Sequence, residues 1–215
     1  GRNTVFSNLY AALEKAPIVP VITLESCDEA EPLAEALAKG GLTVLEVTLR
    51  TPAGLAGISA MKRAAPDLIV GAGTVCAPAD VEAACQAGAD FLVSPGLTPA
   101  LSEAMLASGV PALPGIATVS EAMCRAGEGF EIVKLFPAVP SGGLGFLKAI
   151  SGPLPGLRFM PTGGIKPETA PDFLALENVV AIGGSWMVSA SDIRARNWPL
   201  IEEKARQAAA MGSNS

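Results

Sequence analysis

The sequence predicts an α/β fold, namely a (β/α)8 barrel of the TIM type with an extra N-terminal helix, formed by residues 1–215 as a single domain. Two observations support this. Short apolar runs rich in β-branched residues alternate with longer Ala-rich runs, and eight such strand-like runs recur without an intervening linker. The competing architecture for this alternation is an open, doubly wound parallel sheet.

The eight predicted strands are short and mostly apolar, as expected for a parallel sheet that is covered on both sides. Their centres recur roughly every 20 to 27 residues, which is the spacing of one strand followed by one helix. They are Val19–Leu24, Thr43–Leu49, Leu68–Gly73, Phe91–Ser94, Pro111–Pro114, Glu131–Phe136, Arg158–Thr162 and Val179–Gly183.

Helical patterns precede, separate and follow the strands. Starts near Thr98-Pro99 and a stop at Ser108-Gly109 are typical helix signals. The predicted helices are Asn3–Lys15, Cys27–Lys39, Pro52–Ala64, Ala79–Ala87, Pro99–Ser108 and Asp192–Met211.

The amino-acid composition argues against two kinds of partner, nucleic acid and a membrane. The net charge is −6 without a basic run, which argues against nucleic acid. No apolar run reaches the 18 or so residues that span a bilayer, and no signal-like N-terminus is present, so we expect a cytoplasmic protein without a membrane partner.

The amino-acid composition also argues against several kinds of catalytic and metal-binding site. The chain has no histidine, which excludes Ser-His-Asp and Cys-His catalysis and a histidine-held metal. The four cysteines are scattered, without a CxxC pair, and therefore indicate neither a zinc site nor a disulfide framework. If the protein is an enzyme, its acid–base catalysis therefore depends on carboxylates, lysine, tyrosine or water.

The second strand carries three polar residues on one face. Glu46, Thr48 and Arg50 are spaced two apart, so they point the same way, while Leu45 and Val47 face the helices. We expect them to line the mouth of the barrel. A purely structural Glu–Arg pair is the alternative interpretation.

The sixth strand places a lysine in an apolar run. Ile132, Lys134 and Phe136 share a face, and the flanking Val133 and Leu135 suit packing against helices, so Lys134 points inward. It either forms a buried ion pair with Glu46 or serves as a neutral nucleophile for a carbonyl. Burial favours the neutral amine and a nearby carboxylate favours the ammonium, and the sequence does not decide between them.

Two glycine-rich segments follow the last two strands. These are PTGGI at residues 161–165 and GGSWMV at residues 183–188, where Gly184-Ser185 is a candidate start for a short helix. In barrels, the loops after strands seven and eight often bind phosphate, because glycine lets backbone N–H groups approach an anion.

Taken together, these segments resemble the 2-keto-3-deoxy-6-phosphogluconate (KDPG) aldolase / 4-hydroxy-2-oxoglutarate aldolase family, which consists of class I, Schiff-base enzymes. The resemblance covers strands two to eight in order. The matching segments are EVTLRT (46–51), GAGTV (71–75), VSPG (93–96), LPGIATVSE (113–121), VKLFPA (133–138), PTGGI (161–165) and IGGSW (182–186).

The resemblance implies that Lys134 forms the Schiff base and that Glu46 is the general acid–base group. It implies that Arg50 and Thr74 hold the pyruvate carboxylate. Pro95 and Phe136 are implied to shape the pocket around the imine, and Thr162 to contact the substrate's hydroxyl chain. The residues implied to bind the phosphate of this small-molecule substrate are Gly163, Gly164, Gly184 and Ser185. It further implies a homotrimer that needs no metal and no cofactor.

The implied reaction is cleavage of KDPG to pyruvate and glyceraldehyde 3-phosphate, together with cleavage of 4-hydroxy-2-oxoglutarate to pyruvate and glyoxylate in some family members. The alternatives are a 2-dehydro-3-deoxy-6-phosphogalactonate aldolase, a phosphate-binding barrel isomerase or epimerase, and a non-catalytic scaffold. A scaffold would not need ionisable residues aimed into the mouth of a barrel.

Overall fold

The computed structural model describes residues 2–212, with side chains from residue 6 onward. Within these residues the chain forms nine short β-strands, all paired in parallel. They are β1 (Ile18–Ile22), β2 (Val44–Thr48), β3 (Ile69–Gly73), β4 (Phe91–Val93), β5 (Ala112–Leu113), β6 (Gly115–Ile116), β7 (Ile132–Leu135), β8 (Arg158–Phe159) and β9 (Ile182–Gly184).

Helices separate most of the strands and flank them at both ends of the chain. The α-helices are α1 (Arg2–Lys15), α2 (Ala30–Lys39), α3 (Ala53–Ala64), α4 (Pro78–Gln86), α5 (Pro99–Ala107), α6 (Val119–Glu128), α7 (Gly143–Ile150), α8 (Ala170–Leu174), α9 (Ala190–Arg194) and α10 (Trp198–Met211). Short 3-10 helices occupy Cys27–Glu29 and Trp186–Val188. Among the described residues, no helix is both long enough and apolar enough to cross a membrane.

The strands form a mixed α/β fold built on a curled parallel sheet. Six strands pair in the order β5-β4-β3-β2-β1-β9, and three pair in the order β6-β7-β8. Two isolated bridges, Phe159 with Val179 and Thr162 with Gly183, connect the β8 segment to the β9 segment.

Strand side chains alternate between two apolar clusters, as period-two geometry requires. Leu45 and Val47 on β2, and Val133 and Leu135 on β7, belong to the cluster that includes the helices. The opposite, concave face of the sheet carries a second cluster that contains Val44, Phe91, Ile132 and Met160. The predicted orientation of the second and sixth strands is therefore confirmed.

The predicted N-terminal helix is present and covers one end of the sheet. Leu9 and Leu13 of α1 are buried in the concave cluster together with Val44 and Ile132, the first residues of β2 and β7. Each fully buried leucine contributes about 1.5–3 kcal/mol to folding. Because α1 occupies the end where the strands begin, polar groups can gather at the end where they finish.

The structure corrects the number and the ends of the predicted strands. The run Pro111–Pro114 extends into two segments, β5 and β6, because Pro114 has no N–H to donate, although its carbonyl accepts from the Lys134 N–H at 2.9 Å. The run Val19–Leu24 forms β1 only as far as Ile22. The run Arg158–Thr162 forms β8 only as far as Phe159, and the last strand begins at Ile182 rather than at Val179.

The predicted helix Asp192–Met211 is wrong as a single element. It is divided into α9 and α10, because Arg196 has a left-handed φ of 53° and the Asn197 side chain accepts from the Leu200 N–H to begin a new helix. Three helices, α6 to α8, were not predicted. Thr118 caps α6 at the Glu121 N–H, a start signal that was interpreted only as part of a sequence motif.

Candidate active site

A cavity of about 550 Å³ opens at the ends of the strands where the predicted site residues gather. Seven of the predicted substrate-binding residues line it directly, and they are Arg50, Phe136, Thr162, Gly163, Gly164, Gly184 and Ser185. They come from four separate parts of the chain, so the fold alone brings them together. The cavity therefore lies where the parallel sheet is expected to hold a ligand.

Lys134 lies beneath this cavity on β7. Its side chain is only 2% exposed, and its Nζ lies 4.5 Å from the centre of the Phe136 ring, which lines the cavity. Burial lowers the pKa of Lys134 from its ordinary value of 10.5; Glu46 opposes this shift and the Arg50 charge reinforces it. The net direction favours the neutral amine that a nucleophile needs.

Glu46 lies on β2, in the electrostatic field of Lys134. It is 1% exposed, and its Oε1 has no hydrogen-bond partner. Burial raises the pKa of Glu46, and the charges of Lys134 and Arg50 oppose the rise. A carboxyl with a raised pKa exchanges protons more readily near neutral pH than an ordinary glutamate does.

The geometry of Lys134 and Glu46 bears on the two interpretations of Lys134. The described contacts include no direct ion pair between Lys134 and Glu46, and burial is the largest influence on both groups. Desolvation therefore moves the amine and the carboxyl towards their neutral forms. The described contacts therefore do not show the structural ion pair between these two groups.

Gly73 makes the room that Glu46 occupies. A Cβ at Gly73, the last residue of β3, would collide with Glu46 Oε2. The predicted GAGTV segment therefore has a packing role as well as a turn role. The carboxylate lies against bare backbone, which fixes its position relative to β3.

Arg50 and Thr74 are joined at the rim. Arg50 Nε donates to Thr74 Oγ1 at 3.1 Å, and the exposed guanidinium has no carboxylate partner among the described residues. Thr74 has a φ of 56°, which is rare for a β-branched residue and costs of order 1–3 kcal/mol. This strained position aims the Thr74 hydroxyl at the arginine and leaves the guanidinium's terminal N–H groups available to a carboxylate.

The two glycine-rich segments form the opposite wall of the cavity. Gly163 and Gly164 have φ values of 110° and 78°, which side chains rarely adopt. Neither of their N–H groups donates to an acceptor in the described part of the chain. Two free backbone donors beside a cavity suit an anion.

The other pair of glycines is explained by packing. A Cβ at Gly183 would collide with Thr162 Oγ1, which is buried without a partner, and a Cβ at Gly184 would collide with the Trp186 ring. The predicted short helix does follow Ser185, but it is a single 3-10 turn from Trp186 to Val188.

The lining of the cavity differs from the sequence-based prediction at two residues, Pro95 and Thr23. Pro95 is only half-buried and does not line the cavity; its carbonyl packs instead against the backbone of Gly115. Thr23 lines the cavity and was not predicted. It lies two residues beyond Val21 at the end of β1, so the rule that polar residues at strand ends form the site could have identified it.

The family model for KDPG and KHG aldolases matches residues 9–204. This chain belongs to the KDPG and KHG aldolase family. It is therefore an aldolase, a carbon–carbon lyase, and the resemblance drawn from the motifs is confirmed.

Named relatives extend over nearly the whole chain. The KHG/KDPG aldolase of Escherichia coli is 45% identical over 91% of this chain and 92% of its own. The 2-dehydro-3-deoxy-phosphogluconate aldolase of Pseudomonas aeruginosa is 46% identical over 90% and 88%. The crystal structure of KDPG aldolase from Legionella pneumophila, with pyruvate captured as a covalent carbinolamine, is 44% identical with a TM-score of 0.89 and covers 92% of this chain and 96% of its own.

The lowered pKa of Lys134 can be measured directly. We expect the ¹³C resonance of its Cε to titrate with a midpoint below 10.5, because burial disfavours the ammonium. In Glu46→Gln the midpoint moves lower still, because the carboxylate charge that favours the ammonium is lost. Lys39, whose exposed amine pairs with Glu35, is the internal control and titrates above its ordinary value. A Lys134 midpoint at or above 10.5 would contradict the electrostatic description of the site.

Proposed function

We propose that this aldolase cleaves KDPG to pyruvate and glyceraldehyde 3-phosphate through a Schiff base on Lys134. The observation that carries the proposal is a buried lysine whose pKa is lowered, placed under a cavity with an arginine at its rim. The names of the E. coli and P. aeruginosa relatives support the substrate, and the covalent pyruvate in the L. pneumophila enzyme supports the type of intermediate.

In the first step the neutral Lys134 amine attacks the C2 ketone and forms a C–N bond. A proton passes from the attacking nitrogen to the carbonyl oxygen to give a carbinolamine. A second proton, donated by the Glu46 carboxyl, then lets that oxygen leave as water and gives a protonated imine. Arg50 binds the C1 carboxylate with its free N–H groups and thereby orients C2 towards the amine. An exposed lysine is protonated at neutral pH and must lose a proton before it can attack a ketone. Burial makes this deprotonation easier for Lys134.

In the second step the C3–C4 bond breaks. Glu46, directly or through water, removes the proton of the C4 hydroxyl, the C4 oxygen forms the aldehyde, and the bonding electrons move into the imine to give an enamine. Glyceraldehyde 3-phosphate leaves, and the same carboxyl returns a proton to C3. Water then hydrolyses the pyruvate imine. The unpartnered Oε1 of Glu46 is the proton acceptor available on this path.

The phosphate is assigned to the wall formed by Gly163, Gly164, Gly184 and Ser185. All four residues line the cavity, and the N–H groups of Gly163 and Gly164 donate no hydrogen bond within the described part of the chain. Thr162, whose buried Oγ1 lacks a partner, is placed to contact the substrate's hydroxyl chain. Cleavage of 4-hydroxy-2-oxoglutarate is proposed as a second activity because the E. coli relative is named for both substrates.

The proposal includes the architecture that holds the site. We infer one domain in which the β-segments form a closed (β/α)8 barrel, with β5 and β6 as the two halves of one strand. Its support is that β1 pairs with both β2 and β9, while isolated bridges connect the β8 and β9 segments. A cytoplasmic homotrimer is proposed from the family resemblance.

Replacing Lys134 tests the reaction. We expect Lys134→Arg to lose at least about a thousandfold of the KDPG cleavage rate, because a guanidinium stays protonated and cannot attack the ketone. Pyruvate release is the measurement, and Lys148→Arg, a change on the surface helix α7, is the matched control that keeps wild-type activity. Wild-type turnover in Lys134→Arg would rule out the Schiff base.

Replacing Ser185 tests the phosphate wall. We expect Ser185→Asp to lower the preference for KDPG over unphosphorylated 2-dehydro-3-deoxygluconate at least about tenfold, because a carboxylate repels the phosphate. Ser185→Asn has nearly the same shape without the charge and retains most of the preference. The measurement is the ratio of the two kcat/KM values. If both variants kept the wild-type ratio, the phosphate would bind elsewhere.

A further inference from the structure

Thr23 contributes a hydroxyl group to the wall of the cavity, and the proposed mechanism gives this hydroxyl no role. It follows β1 directly, is exposed, and lines the cavity together with Arg50 and Ser185. It has the same strand parity as Val21, which also lines the cavity. Its side chain therefore faces the cavity and not the helices.

Thr48 fixes the orientation of Thr23. The two hydroxyl oxygens are 3.2 Å apart, and Thr48 is fully buried on the same face of β2 as Glu46. A buried hydroxyl is costly without a partner, and Thr23 is the partner that the described side chains provide. A hydroxyl can donate one hydrogen bond and accept others, so Thr23 keeps hydrogen-bonding capacity for the cavity while it satisfies Thr48.

The strand pairing places Thr23 between the residues proposed to act on C4 and those proposed to bind the phosphate. On one side of β1, Val21 pairs with Glu46 of β2; on the other side, Pro20 pairs with Gly184 of β9. Thr23 therefore lies between the strand that carries the acid–base group and the strand that carries the phosphate wall. In KDPG, the atoms between the C4 hydroxyl and the C6 phosphate are C5 and its hydroxyl.

We propose that Thr23, held by Thr48, hydrogen-bonds the C5 hydroxyl of the substrate and makes the enzyme select phosphorylated aldehydes that carry this hydroxyl. Thr23 is a specificity-determining residue, and Thr48 is a positioning residue that acts through it. This inference rests on the proposed function, because it uses the same substrate in the same cavity.

The reverse reaction provides a probe that differs in one hydroxyl. Pyruvate is condensed either with D-glyceraldehyde 3-phosphate, whose C2 hydroxyl becomes the C5 hydroxyl of KDPG, or with 3-phosphooxypropanal, which lacks that hydroxyl. We expect the wild type to prefer the hydroxylated aldehyde at least about tenfold in kcat/KM, since a site built to bind a hydroxyl rejects the analogue without it. In Thr23→Val, which keeps the shape and removes the hydroxyl, we expect the preference to fall to within about twofold.

Two further variants separate the hydroxyl from its surroundings. Thr23→Ser keeps the hydroxyl and is expected to retain the preference to within about threefold, whereas Thr48→Val lets the Thr23 hydroxyl rotate and lowers the preference in part. Because each ratio compares two aldehydes on one preparation, a smaller folded fraction in a variant does not change it.

The experiment distinguishes failure of the Thr23 assignment from failure of the proposed aldolase reaction. An unchanged preference in Thr23→Val, or an equal loss in Thr23→Ser, would overturn the assignment of the hydroxyl while leaving the aldolase reaction intact. A full preference in Thr48→Val would overturn the positioning role of Thr48. A wild type that condenses pyruvate with neither aldehyde would instead contradict the proposed function, and the inference with it.

Discussion

The desolvation of one amine is the constraint on which the rest of the site depends. Lys134 is placed in the concave interior of the sheet because Val133 and Leu135 are needed against the helices on the other side. An ammonium in such a place is costly, and burial therefore lowers the pKa of Lys134. The same burial that stabilises the neighbouring apolar side chains thus favours the neutral amine, which the proposed reaction requires.

The groups around the amine limit that effect and direct it. The charge of Glu46 raises the pKa of Lys134 and the charge of Arg50 lowers it. Glu46 therefore favours the ammonium form, and Arg50 favours the neutral amine. Gly73 leaves space for the Glu46 carboxyl, and Thr74 accepts an unfavourable backbone conformation to hold Arg50. Each of these local irregularities lies at the end of a strand, where strain and unpartnered polar atoms are expected of a functional site.

Much of the site could be predicted from the sequence because strand parity is a local property. The inward direction of Lys134 and the shared face of Glu46 and Thr48 follow from two-residue periodicity, and the structure confirms them. The pKa directions could not be predicted, because they depend on burial and on distances between strands. Thr23 was missed because the predicted first strand continued to Leu24 and so placed Thr23 inside the strand, whereas β1 ends at Ile22. Its hydrogen bond to Thr48 joins residues 25 positions apart and could not be predicted from local sequence. The break before α10 lies at Arg196, a left-handed residue that is not a glycine and gives no sequence signal. The Asn197 cap that follows it is a recognisable helix start, which the predicted single helix did not take into account.

The most direct test of the central role of Lys134 is to trap its covalent intermediate. Incubating the enzyme with pyruvate and borohydride reduces any imine to a stable secondary amine, which intact-mass and peptide-mapping measurements then locate. We expect one pyruvate-derived adduct per chain, on Lys134, and none in Lys134→Ala. The absence of an adduct in the wild type, an adduct on another lysine, or an equal adduct in Lys134→Ala would contradict the claim that this buried amine is the nucleophile.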